Sequence, residues 1–405
     1  MKGVLIIIDG VADEHCAILG GKTPLEIAKT PNLDWFSERG SVDYCYPVKK
    51  DFAPESNEGV LSLLGYNPSS VKRGTLEAMG LGVQLKKGDL AFRCNFATVD
   101  TIEEGNITDR RAGRTLTTEE ARILAAAINE QVKLPFNFEF YPAVQHRGVL
   151  VIRGKFSDKI SGVEAKGAKL EFSKPLDKSR NSKFASDLLN LFARKSFDIL
   201  ERHPINLERT KKGLFPANVL LCRGAGSKGK LKKLQGKWIG LGYMPLEKGI
   251  IKATGMDVYE FTYPKLKRID VYENLYDGLW GAVKYSIKML KRNKNKYDYF
   301  YVHFKETDIP GHDNKPLDKV RMINILDGEF FSFLKKFIGE SKVIITADHM
   351  TACRKKAHTG EAVPVLSYPF SGKGARAGQR FTEACGLGGK QILGRRLLKE
   401  RLFGK

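Results

Sequence analysis

Carboxylate and imidazole side chains follow three hydrophobic runs of the chain. The runs cover residues 4–8, 299–304 and 343–347, and each is short, rich in β-branched or aromatic residues and typical of a buried strand. In an open parallel α/β sheet, ligands bind beyond the carboxyl ends of the strands, so residues that follow different strands converge there. The residues that we expect to converge are Asp9, Asp308, His312, Asp348, His349 and His358.

This mixed set of carboxylates and imidazoles predicts a metal site. Such a set suits one or two divalent transition ions such as Mn²⁺ or Zn²⁺ and is poor for Ca²⁺, which prefers oxygen ligands. Any one of the histidines, taken singly, is more often structural or solvent-facing, but that interpretation does not explain the pattern at three strand ends. Pro310 and Gly311 disfavour a helix, so Asp308 and His312 are predicted to lie on a loop.

Ser56 is the candidate nucleophile. Residues 41–58 are irregular and contain two prolines, so Ser56 is expected on an exposed turn before a helix that starts near Asn57. The simpler interpretation is that this serine caps the helix. The alternative is that helix N–H groups and a metal ion together stabilise a serine alkoxide that attacks phosphorus.

A basic loop at residues 109–114 carries Arg110, Arg111 and Arg114 next to Asp109. It is either a solvated surface loop or a binding site for phosphate or carboxylate, whose oxygens match the planar guanidinium group. A second candidate begins at Arg223, where a hydrophobic run is predicted to enter a glycine-rich turn that cradles an anion. By itself, this second motif has low specificity.

The composition is ordinary for a soluble globular protein except for its charge. The 405 residues carry a formal charge of +22 at pH 7, which suits either nucleic acid or a small anionic substrate. Lysine and arginine are spread along the whole chain, and the densest basic run has no interleaved aromatic residues, which disfavours nucleic acid.

No membrane span and no secretory signal are predicted. The six cysteines form no C-x-x-C pair, so we expect reduced thiols in a cytoplasmic protein.

Two domains are predicted, because the pattern changes near residue 70. Alternating runs at residues 90–96 and 148–152 predict antiparallel strands, whereas the beginning and the end of the chain have the runs of a parallel α/β sheet. We therefore expect an α/β core domain, a mostly parallel sheet flanked by helices, formed by residues 1–69 and 215–405. An α+β domain is inserted at residues 70–214. Helices are predicted at residues 118–129, 183–202, 247–254, 272–290 and 317–338, and Thr23 before Pro24 predicts a further helix start.

Short motifs, each weak by itself, cover most of the chain in a fixed order. They are Ile8-Asp9-Gly10, residues 62–68, 73–78, 91–95 and 109–114, His146-Arg147, residues 216–218 with 223–226, Gly255-Met256 and the two late acid and histidine segments. In number and order they resemble the archaeal type of 2,3-bisphosphoglycerate-independent phosphoglycerate mutase, a member of the alkaline phosphatase superfamily.

The resemblance implies an alkaline-phosphatase-like fold, two divalent metal ions and roles for individual residues. Asp308, His312 and His358 would hold one ion. The other ion would be held by Asp9, Asp348, His349 and the nucleophile Ser56. Mn²⁺ is the first expectation, with Zn²⁺, Co²⁺ or Mg²⁺ as alternatives. Substrate phosphate and carboxylate would be bound by Arg93, Asp109, Arg110, Arg111, Arg114 and Arg223.

The implied reaction is the interconversion of 3-phosphoglycerate and 2-phosphoglycerate through a phosphoserine, in glycolysis and gluconeogenesis, with the inserted domain as a lid that excludes water. Where the family has Pro-Gly-Ser-Asp, this chain has Pro54-Glu55-Ser56-Asn57, which places an extra carboxylate beside the nucleophile. The alternatives are a metal-dependent phosphomonoesterase, a mutase for another phosphorylated metabolite, and a non-catalytic binding protein.

Overall fold

The computed structural model describes residues 1–266, 270–369 and 378–404. Its strands, in chain order, are β1 (Gly3–Ile8), β2 (Ser41–Tyr46), β3 (Leu90–Val99), β4 (Ile107–Asp109), β5 (Phe138–Pro142), β6 (Arg147–Ile152), β7 (Glu164–Lys166), β8 (Lys169–Glu171), β9 (Val219–Gly226), β10 (Trp238–Gly242), β11 (Asp257–Glu260), β12 (Tyr299–Phe304), β13 (Lys342–Thr346), β14 (Met350–Ala352), β15 (Ala357–Thr359), β16 (Val363–Tyr368) and β17 (Gln391–Leu393). Its α-helices are α1 (Pro24–Ile27), α2 (Pro31–Glu38), α3 (Ser56–Leu63), α4 (Arg73–Gly80), α5 (Thr118–Gln131), α6 (Arg180–Glu201), α7 (Pro204–Lys211), α8 (Pro245–Ala253), α9 (Val271–Asn293), α10 (Asp308–His312), α11 (Pro316–Ile325), α12 (Ser332–Phe337) and α13 (Glu383–Leu387).

Eight strands form the main sheet, in the order β11-β10-β12-β1-β13-β16-β2-β17. All of them run in one direction except β16, which is antiparallel to both of its neighbours. Strand β1 lies between β12 and β13, and Gly3 is opposite Tyr299 on one side and Lys342 on the other. All six residues of β1 are buried, as expected for a parallel strand covered on both faces. The predicted α/β class with a mostly parallel sheet is confirmed.

The predicted helices are present, with ends that differ by a few residues. They correspond to α5, α6, α8 and α9, whereas the helix predicted at residues 317–338 is divided into α11, a π-helical turn at Leu326–Phe331 and α12. The start predicted at Thr23 is also confirmed. Its hydroxyl accepts a hydrogen bond from the backbone N–H of Glu26 at 3.2 Å, and Pro24 is the first residue of α1.

The segment after β12 is helical, so the predicted loop at Asp308 and His312 is wrong. These residues begin and end the short helix α10. Pro310 is the third residue of this helix, where the backbone N–H has no partner inside a helix, so the proline removes no hydrogen bond. The single turn places Asp308 and His312 on the same face, four residues apart.

Five strands form a second sheet, in the order β4-β3-β6-β5 with β9 against β3. Helices α5 and α6 share a hydrophobic core with this sheet, which agrees with a separate α+β unit. Strand β9 lies beyond residue 214, in the stretch that the sequence assigned to the core domain, but it pairs with β3 from Val219 to Gly226. The division into two domains stays a prediction. The pairing of β9 moves the end of the inserted domain from residue 214 to beyond Gly226.

The glycine-rich turn predicted after residue 222 is wrong. Residues Arg223 to Gly226 continue strand β9, because their backbone remains paired with β3. The register of β3 and β9 shifts between Ala91 and Arg93 of β3. Gly224 of β9 has a positive φ of 64°. The glycine therefore accommodates an irregularity in the strand pair and forms no anion-binding loop.

Helices α4 and α8 pack closely where the second sheet meets the main sheet. A Cβ atom added at Gly249 of α8 would lie 1.8 Å from the carbonyl oxygen of Leu76, and one added at Gly80 of α4 would lie 1.8 Å from that of Pro245. Only glycine permits this approach of the two backbones. The helix pair holds the two sheets on either side of the cavity described below.

Candidate active site

The carboxyl ends of β1, β12 and β13 meet at one edge of the main sheet. The backbone N–H of Asp9 donates to the carbonyl oxygen of Phe304 at 2.8 Å, and Ile7 is opposite Thr346. Asp9, Asp308 and Asp348 follow these three strand ends, and the predicted histidines lie beside them. The arrangement is the one that the sequence pattern predicted.

The first group of possible ligands consists of Asp308, His312 and His358. The Nε2 atoms of His312 and His358 lie 3.4 and 3.6 Å from the carboxylate oxygens of Asp308. On the far side of each ring, Nδ1 lies at hydrogen-bond distance from a backbone carbonyl, that of Lys356 at 3.0 Å and that of Pro54 at 2.8 Å. A ring that donates Nδ1–H to a carbonyl leaves the lone pair on Nε2, which is the form that binds a metal ion.

The second group consists of Asp9, Asp348 and His349, with Ser56 beside them. His349 Nε2 is 3.2 Å from Asp9 Oδ1, 3.5 Å from Asp348 Oδ2 and 3.3 Å from the Ser56 hydroxyl. The two groups touch, because the rings of His349 and His358 stack with centroids 3.6 Å apart. Thr351 also joins them, with its hydroxyl 2.7 Å from Asp308 and 3.0 Å from His349 Nδ1.

The donor atoms fit a divalent transition ion in each group. Asp9 and Asp348 are fully buried, yet Oδ1 of Asp9 and Oδ2 of Asp348 receive no hydrogen bond. Burial raises the pKa of Asp9, but the charge of Lys305 outweighs it and holds this pKa well below its usual range. A buried carboxylate oxygen without a hydrogen bond is costly, and a metal ion bound at these two oxygens would compensate that cost. The ligand atoms lie within 4.8 Å of one another in Asp9, Asp348 and His349, and also in Asp308, His349 and His358, a set that has His349 in place of His312.

His303 and Lys305 are part of this site, although neither was predicted from the sequence. His303 is fully buried, with Nε2 3.2 Å from Asp9 Oδ2 and Nδ1 3.0 Å from the Tyr301 hydroxyl. The ammonium of Lys305 contacts Asp9 and lies 3.4 Å from Glu247. Burial disfavours the charged form of Lys305, but these carboxylates raise its pKa above the usual range. The sequence contains a signal for both residues. Side chains alternate between the two faces of an extended strand, so residues 301, 303 and 305 lie on the same face.

Ser56 is the first residue of α3 and is 5% exposed, so the expected exposed turn is wrong. The capping interpretation is wrong as well, because the extended residue before the helix is Glu55. The Ser56 hydroxyl lies 3.3 Å from His349 Nε2 and 3.4 Å from the Lys305 ammonium. Its position at a helix N-terminus beside a cation suits a serine that carries negative charge during a reaction.

Glu55 does not leave an uncompensated charge beside Ser56. Its carboxylate lies 2.6 Å from the guanidinium of Arg73, which also binds Glu77 at 2.9 Å. Burial raises the pKa of Glu55, but Arg73 and Arg93 outweigh it and lower the pKa to about 2. The departure from the family motif is thus accompanied by a basic partner for the extra carboxylate.

One cavity of about 510 Å³ joins the two ligand groups to a cluster of arginines. The predicted arginines all line it, together with Arg73 and Arg147, which lie in motifs of the sequence but were not predicted as site residues. The seven are Arg73, Arg93, Arg110, Arg111, Arg114, Arg147 and Arg223. The pKa of Arg111 is lowered to about 10, mainly by burial. The nearby positive charges of Arg114 and Arg147 repel the Arg111 guanidinium and lower this pKa further. A bound anion would relieve this repulsion.

Asp109 shapes the arginine loop and is not among the residues that line the cavity. Its Oδ1 accepts hydrogen bonds from the backbone N–H groups of Arg111 at 2.7 Å and Gly113 at 2.8 Å. Ala112 and Arg114 have positive φ angles of 46° and 57°, which are strained for L-residues. The Asp109 carboxylate therefore holds a loop conformation that directs arginines into the cavity.

Arg114 is paired with Asp313, so the loop does not present three free positive charges. Its guanidinium makes two hydrogen bonds to Asp313, at 2.6 and 2.7 Å, and Tyr272 donates to the same carboxylate at 2.9 Å. This contact joins the loop after β4 to the residue after α10. Its role in substrate binding stays a prediction.

Replacing Arg114 with alanine is therefore expected to lower both kcat/KM and the melting temperature. Removing one partner of a part-buried, bidentate ion pair costs about 1 to 3 kcal/mol of unfolding free energy. A double-mutant cycle with Asp313→Ala, followed by thermal unfolding, measures the coupling. The matched control is Arg122→Ala, since Arg122 pairs with Glu119 at the surface, with side chains 61% and 59% exposed. An unchanged melting temperature in Arg114→Ala would contradict this structural contribution.

Family models match two parts of the chain. The model described as 2,3-bisphosphoglycerate-independent phosphoglycerate mutase matches residues 37–206, and that of the metalloenzyme superfamily matches residues 281–390, which contain both late segments. The second match supports dependence on a divalent metal. In the described part of the chain, no helix combines the length and hydropathy needed to cross a membrane.

Similar proteins cover nearly the whole chain. The 2,3-bisphosphoglycerate-independent phosphoglycerate mutase of Thermococcus kodakarensis is 39% identical over 93% of this chain and 89% of its own length. The protein of the same name from Pyrococcus horikoshii is 40% identical, over 94% of this chain and 91% of its own length.

Solved structures agree with these matches. A Pyrococcus horikoshii protein has a TM-score of 0.76 and 29% identity, covering 99% of this chain and 96% of its own. The cofactor-independent phosphoglycerate mutase from Thermoplasma acidophilum has a TM-score of 0.56 and 27% identity, covering 100% of this chain and 99% of its own. Relatives that are 39% and 40% identical match more than nine-tenths of this chain, so the chain belongs to the 2,3-bisphosphoglycerate-independent phosphoglycerate mutase family.

Proposed function

We propose that the chain interconverts 3-phosphoglycerate and 2-phosphoglycerate by transferring the phosphoryl group to and from Ser56, without 2,3-bisphosphoglycerate. The observation that carries this proposal is the single cavity in which Ser56 faces ligand residues on one side and arginines on the other. The substrate has a phosphate and a carboxylate, and both anions match guanidinium groups. Membership of the family supports this choice of substrate.

Two divalent ions, Mn²⁺ in the first place, would be bound by the two groups of ligands. Asp308, His312 and His358 would hold one ion. Asp9, Asp348 and His349, together with Ser56, would hold the other. When bound, such ions polarise phosphoryl oxygens and lower the pKa of a coordinated hydroxyl.

The phosphoryl transfer itself belongs to Ser56 and its neighbours. Ser56 loses its hydroxyl proton as Oγ bonds to phosphorus, while the bond from phosphorus to the glycerate oxygen breaks and that oxygen gains a proton. In the second half, the other glycerate hydroxyl loses its proton as it takes the phosphoryl group, and Ser56 Oγ regains one. The Lys305 ammonium, 3.4 Å from Ser56 Oγ, stabilises the negative charge that develops on the serine oxygen. Substrate and product are isomers, so the cycle consumes no water and no net proton.

The arginines hold the substrate while the glycerate reorients. Arg93 and Arg223 are opposite each other in the strand pair of β3 and β9, and Arg93 Nε is buried without a hydrogen-bond acceptor. Arg111 and Arg147 approach from the other elements that line the cavity. The second sheet, with its helices, acts as the lid that excludes water. We assign the basic charge at the site to this small anion and not to nucleic acid.

A direct assay tests the proposal. With Mn²⁺ and 3-phosphoglycerate, and without 2,3-bisphosphoglycerate, we expect 2-phosphoglycerate to form until equilibrium, with little free phosphate. Addition of a chelator should stop the reaction, because the carboxylate and imidazole groups then lack their ions. Coupled enolase absorbance measures the product, and a colorimetric assay measures phosphate in the same sample.

The outcome of this assay separates the alternatives. Release of phosphate in proportion to the substrate consumed would replace the mutase by a metal-dependent phosphomonoesterase. Turnover of a different phosphorylated metabolite alone would identify a mutase with another substrate. A non-catalytic binding protein is the weakest alternative, because it does not explain two groups of buried or part-buried carboxylates and imidazoles beside a serine. The cytoplasmic location stays an expectation.

A further inference from the structure

We propose that Cys94 and Cys222 form a disulfide bond that links β3 to β9 in the second sheet. The two residues are directly opposite each other in the antiparallel register. Their sulfur atoms are 3.0 Å apart, about 1 Å more than the length of an S–S bond. The inference does not depend on the proposed mutase activity.

The backbone geometry of this pair favours a cross-strand disulfide. The N–H and the C=O of Cys222 both bond to Val163 at 2.8 Å, so neither group points toward β3. Cys94 and Cys222 therefore form a non-hydrogen-bonded pair, the type in which opposing side chains come closest. The expected Cα and Cβ separations of such a pair match those of disulfides. The bond forms without a change in register.

Burial determines when the bond forms. Both cysteines are fully buried in the core between the second sheet and its helices. Burial raises the pKa of the Cys94 thiol well above its ordinary range, and the neighbouring Cys222 thiol raises it further. The thiolate that must attack is therefore scarce in the folded protein. We infer that the bond closes during folding, before the core excludes the oxidant.

The oxidant is a small-molecule disulfide such as oxidised glutathione. One cysteine thiolate attacks it, forms a mixed disulfide and releases one glutathione thiolate. The second cysteine then attacks the sulfur of the first cysteine and releases the other glutathione thiolate. Two electrons pass from the protein to the oxidant, and the two glutathione thiolates take up the two cysteine protons, so the oxidant leaves as two thiols.

The bond would stabilise the strand pair that carries two arginines of the cavity. Arg93 and Arg223 are the next residues along each strand and are opposite each other in the register. The bond closes a long chain segment, because the two cysteines are 128 positions apart in the sequence. Cys16 and Cys353 also lie close, with sulfur atoms within 4.8 Å, but no strand register places them opposite each other. We expect the bond at Cys94 and Cys222 alone.

Refolding in two redox buffers tests the proposal. The full chain is denatured and reduced, then refolded with a mixture of oxidised and reduced glutathione or with reduced glutathione alone. After denaturation and alkylation, we expect four modified cysteines in the first sample and all six in the second, since six minus the bonded pair is four. Peptide mass mapping should identify the Cys94–Cys222 link. The oxidised form should have a melting temperature higher by roughly 5 °C or more.

Two controls make the result specific. Reduced protein that is already folded should resist the same oxidant and keep six alkylated cysteines, as burial requires. Cys45→Ala, at a buried thiol of the main sheet, should keep the link, and Cys222→Ala should lose it. If Cys222→Ala fails to fold, the peptide map of the wild type still decides. Six alkylated cysteines after oxidative refolding, or a link between other positions, would overturn the proposal.

Discussion

Replacing Ser56 with alanine is expected to lower kcat by roughly 10³- to 10⁵-fold and to leave the protein folded. The expected loss is large because the variant lacks the oxygen that accepts the phosphoryl group, which lies 3.3 Å from His349 and 3.4 Å from the Lys305 ammonium. Wild-type protein incubated with substrate labelled in its phosphate should carry the label after acid quenching. The Ser56→Ala protein should carry none and should melt at nearly the same temperature, since alanine is a good helix residue.

The matched control is Ser62→Ala, in the same helix α3. Ser62 is fully buried and its hydroxyl has no hydrogen-bond partner, so its removal costs little and touches no ligand residue. This variant should keep both the activity and the label. Label that survives in Ser56→Ala would show that another residue is the nucleophile. A wild-type protein that is active yet never labelled would require direct attack by a metal-bound water.

The strand ends were predictable from the sequence because they depend on local patterns. A short hydrophobic run that ends in aspartate is visible without any partner, and the topology of a parallel sheet brings such ends together. Asp9, Asp308 and Asp348 were therefore placed correctly before the structure. The loop predicted at Pro310 was wrong because a proline within the first turn of a helix breaks no hydrogen bond. Proline disfavours a helix only at positions beyond this first turn.

The residues that were missed depend on contacts between distant parts of the chain. Lys305 can be part-buried because Asp9, 296 positions away, and Glu247 compensate its charge. No local sequence pattern predicts the ion pairs of Lys305 with these two carboxylates. Strand β9 was assigned to the wrong sheet for the same reason, since a buried hydrophobic strand does not reveal which strand it pairs with. Glu55, which looked unfavourable beside the nucleophile, has a partner in Arg73 that only the folded chain provides.

Alanine at His312 or at His358 is expected to reduce the bound Mn²⁺ from two ions to one per chain. Each ring presents Nε2 to Asp308 while a backbone carbonyl fixes Nδ1, so the loss of either ring leaves the first group with too few ligands. We expect the affinity of that site to fall by at least roughly 100-fold, more than the loss of an outer-shell partner costs. Elemental analysis after dialysis measures the metal content, and isothermal titration of the metal-free protein measures the affinity.

The two variants should differ in their effect on the second group. The ring of His358 stacks on that of His349 with centroids 3.6 Å apart, whereas His312 lies farther out, with its centroid 5.0 Å from that of His358. His312→Ala should therefore leave the affinity of the Asp9, Asp348 and His349 group unchanged, and His358→Ala should weaken it as well. His15→Ala is the matched control, because the side chain of His15 is 71% exposed and belongs to neither group. Two tightly bound ions in His312→Ala would remove His312 from the ligand set, and one ion in His15→Ala would mean that the loss is not specific to the site.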